Sequence, residues 1–144
     1  METFVFIDRL LEFIPMKPFE WDKSKPISIS DIRCALKKIP EISEPYGDTN
    51  TYQPTAKSRK WHIGRIIYFI NHKNEIADIE IDNSCYDGMI MPSPFIVDGW
   101  HRLAAAYYLY TQGEMDCISC RYGGRLDVLE YLKHETNELS LEMI

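Results

Sequence analysis

The chain has 144 residues, of which 45% are hydrophobic, and a formal net charge of −6 at pH 7. About 100–150 residues is the usual size of one domain, and this apolar content can build a core, so the composition argues against disorder. The negative charge argues against DNA binding, because an acidic protein is repelled by DNA unless basic residues gather locally. The candidate for such a patch is Lys57-Ser58-Arg59-Lys60.

The cysteines and the N-terminal stretch favour a cytoplasmic protein with free thiols. Charged residues interrupt the apolar stretch Phe4–Ile14, which predicts neither a secretory signal nor a membrane span. Cys34, Cys85, Cys117 and Cys120 are then expected to be reduced. The last two have the spacing of a zinc knuckle, but on a strand they would face opposite sides, and no second pair follows.

The first 60 residues are predicted to be a helical extension and loop, packed on the same domain as the rest. Apolar spacing and proline positions set the boundaries of the elements. In chain order they are an amphipathic helix over Thr3–Ile14, a loop over Met16–Lys25, a helix from Ser30-Asp31 to Pro40 and a long surface loop over Glu41–Ser58.

The second half is more regular and alternates helices with strands, which indicates an α+β fold. Asp78–Asp82 (DIEID) alternates polar and apolar residues like a half-buried strand. Gly113 is expected to end the predicted helix Gly99–Thr111. The remaining predictions are helices over Trp61–Asn71, Gly99–Thr111 and Leu126–Lys133, strands over Phe95–Val97 and Met115–Tyr122, a turn over His72–Glu75 and a loop over Asn83–Pro94.

The segment Phe95–Leu109 carries the strongest indication of chemistry. A short apolar strand passes through Asp98-Gly99 directly into an alanine-rich helix. The first N–H groups of a helix have no partner within it, and the helix dipole favours negative charge there, so the junction predicts an anion site. Gly99 would let a phosphate approach the backbone, and Arg102 could bind two phosphate oxygens.

His101 and Asp98 are the candidates for catalysis. Imidazole can donate a hydrogen bond or transfer a proton near neutral pH. Asp98 is the natural N-cap, although its carboxylate would compete with phosphate for the same N–H groups. Either Asp98 holds a Mg²⁺ ion that bridges to the phosphate, or it turns aside to orient His101. A capped helix with a surface His and Arg accounts for the same residues without any function.

The residues Asp98–Ala106 (DGWHRLAAA) resemble the DG-x-HR-x-AA motif of the ParB/sulfiredoxin-like superfamily. Three flanking segments resemble those of the family in the expected order: the helix Trp61–Ile70, the strand Ile79–Asp82 and the strand, turn and helix of Met115–Leu132. The resemblance covers roughly the second half of the chain. It implies that residues 61–144 form a small ParB/sulfiredoxin-like core, a mixed sheet packed by helices.

The resemblance also implies that the junction binds the phosphates of a nucleoside triphosphate, ATP or CTP, together with Mg²⁺. The residues carried over to this role are Gly99, Trp100, His101 and Arg102. Known activities of the superfamily range over partition NTPases, sulfinic acid reductases, amino-acid kinases and proposed nucleases. A reductase is excluded here, because sulfiredoxins have a nucleophilic cysteine where this chain has Trp100.

Two further pairs of residues are candidates on spacing. His62 and Arg65 lie one helical turn apart and either line the phosphate pocket or form the polar edge of an amphipathic helix. Glu80 and Asp82 share one face of their strand and, with Asp98, are the candidate metal ligands. A solvated strand face would have the same pattern.

Three functions follow from these features, in order of preference. The first is nucleotide binding with NTP hydrolysis or phosphoryl transfer. The second is a metal-dependent nuclease, which the acidic charge disfavours. The third is a non-catalytic interaction protein of a phage, plasmid or defence-related locus, with Glu41–Ser58 and the tail Leu139–Ile144 as contact surface.

Overall fold

The computed structural model describes residues 2–21, 25–44, 57–84 and 90–139. These residues contain a four-stranded mixed sheet in the order β1-β4-β2-β3. The strands are β1 (Glu2–Phe6), β2 (Ile79–Ser84), β3 (Ile90–Asp98) and β4 (Cys117–Tyr122). Strand β2 is parallel to β4, and the other two pairs are antiparallel. The predicted α+β class is therefore confirmed.

Five α-helices and a short 3₁₀ turn accompany the sheet in the described ranges. They are α1 (Ile7–Leu10), α2 (Ile29–Ala35), α3 (Arg59–Asn71), the 3₁₀ turn (Lys73–Glu75), α4 (Trp100–Thr111) and α5 (Leu126–Leu132). Helices α3, α4 and α5 and strands β2 and β4 lie within two residues of their predicted bounds. Helix α2 begins earlier than predicted, because Ser28 forms a capping box with Asp31.

The core lies between the sheet and helices α3 and α4. Along β2, Ile79 and Ile81 are buried while Glu80 and Asp82 face partly outward, as the alternation predicted. Ala104, Ala105 and Ala106 are completely buried in α4, which contacts α2, α3 and β2. Side chains without bulk let the helix approach its neighbours closely, so the alanine run positions the start of α4 against β2.

The predicted helix over Thr3–Ile14 is wrong in its first part. Residues 2–6 form β1, which pairs with β4 so that Val5 lies opposite Ile118, and the α-helix is confined to Ile7–Leu10. The N-terminal segment is therefore not purely a helical extension, because it supplies an edge strand of the sheet.

The predicted loop over Asn83–Pro94 is also wrong at both of its ends. Asn83 and Ser84 belong to β2, and residues 90–94 belong to β3. Two prolines lie in β3, which is an edge strand, where the missing N–H of proline need not cost a ladder hydrogen bond. The remaining residues of that prediction, 85–89, lie outside the described part of the chain.

Asn83 is a buried polar residue that joins three strands to the turn before α5. Its side-chain Oδ1 accepts hydrogen bonds from the Tyr122 hydroxyl (2.5 Å) and the Arg125 N–H (3.1 Å), and its Nδ2 donates to the Met91 carbonyl (3.2 Å). A Cβ on Gly124 would lie 1.9 Å from that same Oδ1. Position 124, in the turn after β4, therefore requires glycine, because the Asn83 side chain fills the space that a Cβ at this position would need.

Gly124→Ala is therefore expected to lower the free energy of unfolding by about 1–3 kcal/mol, the usual cost of overpacking a core. Gly123→Ala is the matched control, because a Cβ at Gly123 would meet only the Asp82 carboxylate, at 3.1 Å. Urea denaturation measures both variants. An equal loss of stability in the two variants would contradict the role given to Asn83.

Candidate functional site at the start of helix α4

The chain turns from β3 into α4 at Gly99, which has a φ of 107° and a ψ of 27°. This left-handed conformation favours glycine, and a Cβ would also lie 3.2 Å from Cγ1 and 3.3 Å from Cα of Ile79. Gly99 is the N-cap of α4, so the prediction of Asp98 as the N-cap is wrong. Glycine has no side chain, so the N-cap residue offers no oxygen to the first N–H groups of the helix.

A cleft of about 490 Å³ opens at this helix start. The cleft contains Gly99, Trp100, His101 and Arg102, which the motif predicted to bind phosphate, and also Arg65 of α3. Three other lining residues, Trp21, Phe69 and Glu75, were not predicted from the sequence. The lining residues are Trp21, Arg65, Phe69, Glu75, Asp98, Gly99, Trp100, His101 and Arg102.

Arg102 lies across Gly99, with its side chain about 20% exposed. Its Nη1 donates to the Ala77 carbonyl at 2.5 Å, and its Nη2 lies 3.5 Å from the Asp98 carboxylate. Asp98 is 72% exposed, and ion pairs with an exposed partner contribute little because water competes with them. The guanidinium is therefore held by the backbone carbonyl and remains at the cleft, with a weakly bound carboxylate in front of it.

Arg65 is a second cation of the cleft, positioned by the segment that precedes α3 in the chain. Its Nη1 donates to the carbonyls of Ile42 (3.2 Å) and Ser43 (2.8 Å), and its guanidinium lies 4.5 Å from the Phe69 ring centre. The structure thus places Arg65 in the lining of the cleft, and phosphate binding by Arg65 stays a prediction. His62, in contrast, is completely buried and is not one of the residues lining the cleft.

His62 and His101 form a hydrogen-bonded imidazole pair that joins α3 to α4. His62 Nδ1 lies 2.9 Å from His101 Nε2, and the rings are inclined by only 8°. Trp21 stacks on both rings, at 4.8 Å from His62 and 4.4 Å from His101, and Trp61 meets both rings edge-on. A hydrogen bond between two imidazoles needs one protonated and one unprotonated nitrogen, so at least one of the two rings is neutral while the bond exists.

The surroundings of His101 keep it uncharged at neutral pH. Burial, followed by the charges of His62, Arg65 and Arg102, lowers the pKa of His101 to about 3, and burial also lowers the pKa of His62. A group with so low a pKa is a weak base and carries no second proton to donate at pH 7. His101 is thus suited to position the start of α4 and to hydrogen-bond a ligand rather than to transfer protons.

The candidate metal ligands lie in two different clefts. Glu80 and Asp98 are opposite each other in the β2–β3 ladder, but Glu80 and Asp82 line a shallow cleft with Arg121 and Gly123, and Asp98 lines the cleft of Gly99. Asp82 Oδ1 accepts hydrogen bonds from Asn83 N, Ser84 N and Ser84 Oγ. Within the described ranges, no three His, Cys, Asp or Glu side chains are grouped to hold a metal ion.

Trp21, Phe69 and Glu75 are the residues of the site that the sequence analysis missed. Phe69 lies one turn after Arg65 on α3, so helical spacing could have identified it. Glu75 accepts a hydrogen bond from the Tyr68 hydroxyl at 2.6 Å. Trp21 belongs to an irregular segment, where no periodic signal places a side chain in space.

Two other predictions concern the cysteines and the membrane. Cys117 is exposed and Cys120 is buried, so they face opposite sides of β4 as predicted, whereas Cys85 lies outside the described ranges. Burial raises the pKa of the Cys120 thiol to about 11. Among the described residues, no helix has both the length and the apolarity needed to cross a membrane.

Comparison with known proteins adds no relative. The chain matches no protein-family model, no curated protein and no solved structure.

The imidazole pair predicts a specific dependence of stability on pH. Because the folded state lowers the histidine pKa from 6.5 to about 3, the unfolded chain binds more protons between these values. Stability is therefore complete above about pH 6.5 and is lost as the pH falls below it. We expect the melting temperature to fall less between pH 7.5 and pH 5 in His101→Gln than in the wild type.

The control is Gln112→Ala, which alters an exposed side chain at the C-cap of α4 without a titratable group and should retain the wild-type pH dependence. Differential scanning fluorimetry over this pH range measures all three proteins. An unchanged pH dependence in His101→Gln would show that the pair is not held neutral.

Proposed function

We propose that the cleft at the start of α4 binds the phosphate groups of a nucleotide. The observation that carries the proposal is that two arginines converge on the uncapped start of a twelve-residue helix. The N–H groups of the first turn, the helix dipole and the guanidinium groups all favour negative charge at the same place. The proposed relation to the ParB/sulfiredoxin-like superfamily rests on the motif Asp98–Ala106 and supports the same conclusion.

Four residues of the cleft have direct roles in this proposal. Gly99 is itself buried and provides the left-handed turn that directs the first N–H groups of α4 towards the cleft. Arg102 keeps its hydrogen bond to Ala77 through Nη1 and uses Nη2 for the phosphate, displacing the exposed carboxylate of Asp98. Arg65 contributes the second positive charge, and His101 offers a neutral imidazole.

The cleft has two carboxylates, Glu75 and Asp98, and Asp98, which lies at the helix start, is the one that we assign to a magnesium ion. Mg²⁺ is often bound by one or two carboxylates together with substrate phosphates, and Asp98 is exposed beside the proposed phosphate position. A bound Mg²⁺ would neutralise charge on the phosphates. Glu80 and Asp82 line the other cleft and have no part in the proposal.

Arg102→Ala tests the proposal directly. A hydrogen bond to a charged group contributes about 1.5–3 kcal/mol, so the dissociation constant for ATP should rise about 10- to 100-fold. Isothermal titration calorimetry with and without Mg²⁺ measures the change. The matched control is Arg121→Ala, which removes an arginine from the other cleft and should leave the affinity unchanged.

Two results would contradict the proposal. One is the absence of ATP and CTP binding to the wild-type protein under either condition. The other is an equal loss of affinity in the two arginine variants, which would indicate a nonspecific effect of charge.

A further inference from the structure

A second cleft adjoins the phosphate cleft and shares one of its walls. This cleft, of about 410 Å³, is mostly apolar and is lined by Ile14, Pro15, Lys17, Pro18, Phe19, Glu20, Pro26 and Trp100. Trp100 also lines the cleft at the start of α4. A single indole therefore separates a charged cleft, which contains Arg65 and Arg102, from an apolar one.

Trp100 is unusually open for its size. It follows Gly99 directly, and about 40% of its surface is exposed, although its neighbour Leu103 on α4 is completely buried. Its ring centre lies 6.3 Å from that of Phe19, which fixes one side of the indole edge-on. An exposed, supported indole is a surface on which a planar ring can stack.

The rest of the lining of this cleft is fixed before any ligand binds. Phe19 and Ile27 exchange two backbone hydrogen bonds of 2.7 and 2.8 Å, and Phe19 itself is 5% exposed, in contact with Tyr107. The other apolar groups of the wall include three prolines, which lose little conformational entropy when a ligand binds. A preformed apolar slot favours a rigid, planar ligand.

We infer that this apolar cleft, hereafter the Trp100 cleft, is the subsite for the base of a nucleotide whose phosphates bind at Gly99 and Arg102. The inference rests on the proposed function for the phosphate site and adds the class of ligand: a nucleoside phosphate rather than a simple polyphosphate. Trp100 stacks on the base, and Phe19 and the prolines close the slot.

Charged residues at the cleft agree with this occupant. Glu20 lines it, and a carboxylate accepts a hydrogen bond from the exocyclic amine of adenine or cytosine. Lys17 also lines it and adds positive charge for a ligand that carries phosphates. The lining residues between Ile14 and Glu20, together with Pro26, lie outside the sequence motif and thereby acquire a role in choosing the ligand.

The test compares ATP with inorganic tripolyphosphate, which has the phosphates but no base. We expect the wild-type protein to bind ATP about 5- to 100-fold more tightly than tripolyphosphate, the range that one stacked base supplies. Trp100→Ala should abolish this difference, so that ATP and tripolyphosphate bind with similar affinity, and Trp100→Phe should restore part of it. Calorimetry measures both ligands.

Two further variants serve as a control for Trp100→Ala and as an independent test of the base subsite. Phe4→Ala removes an aromatic side chain of similar exposure that does not line the cleft, and should leave both affinities unchanged. Pro18→Asp replaces an apolar wall residue with a charged one and should weaken ATP more than tripolyphosphate, which gives an independent result if Trp100→Ala does not fold.

The outcomes separate the two proposals. If tripolyphosphate binds as tightly as ATP to the wild-type protein, or if Trp100→Ala and Pro18→Asp leave the ratio unchanged, the base subsite is overturned and the phosphate site stands. The Trp100 cleft would then serve another occupant. If neither ligand binds, the phosphate site itself fails and the base subsite falls with it.

Discussion

The arrangement of the site depends on how closely the turn at Gly99 approaches β2. At this point the backbone adopts a left-handed conformation and passes so near Ile79 that a Cβ would lie only 3.2–3.3 Å from its atoms. That contact fixes where α4 begins, and the completely buried alanines that follow hold the helix against its neighbours. The position of the Gly99 turn therefore sets where the first turn of α4 lies. That turn carries the N–H groups of the site and the side chains of Trp100, His101 and Arg102.

The second constraint is the hydrogen bond between His62 and His101. It joins α3 to α4 at the level of the cleft, and the Trp21 indole covers both rings. Since both rings are held neutral, the positive charge of the site comes from Arg65 and Arg102, whose charge does not depend on pH in the physiological range. The site is therefore better suited to hold an anion than to perform acid–base chemistry with its histidines. Turnover would need another group, which makes binding the function that the geometry supports best.

Much of the architecture was predictable because its elements have strong local patterns. The alternation of β2, the apolar rhythm of α3 and the strand, glycine and helix around Gly99 each reflect a period or a turn residue. Strand β1 was not predicted, because Phe4-Val5-Phe6-Ile7 is a short apolar run without a clear period and its partner, β4, lies more than 100 residues away. The pattern of residues within one segment does not predict a strand pairing with a segment so distant in the sequence.

The same reasoning applies to the site. Gly99, Arg102 and Arg65 were identified from the chemistry of their types and their spacing on helices. The pairing of His62 with His101 was not, because 39 residues separate them and only the packing of α3 on α4 brings them together. The low pKa of His101 also follows from that packing. The sequence therefore predicted a proton-transfer role for His101, and only the three-dimensional surroundings of the ring argue against that role.

The most direct measurement is a titration of ¹⁵N-labelled protein with ATP, followed by the backbone amide resonances. The account predicts that the largest and saturable shifts occur at Gly99, Trp100 and His101, where phosphate would accept their N–H hydrogen bonds. Smaller shifts are expected around Phe19, across the Trp100 indole. Saturable shifts confined to the cleft of Glu80, Arg121 and Gly123, or resonances of the Gly99 turn that do not move at saturating ATP, would contradict it.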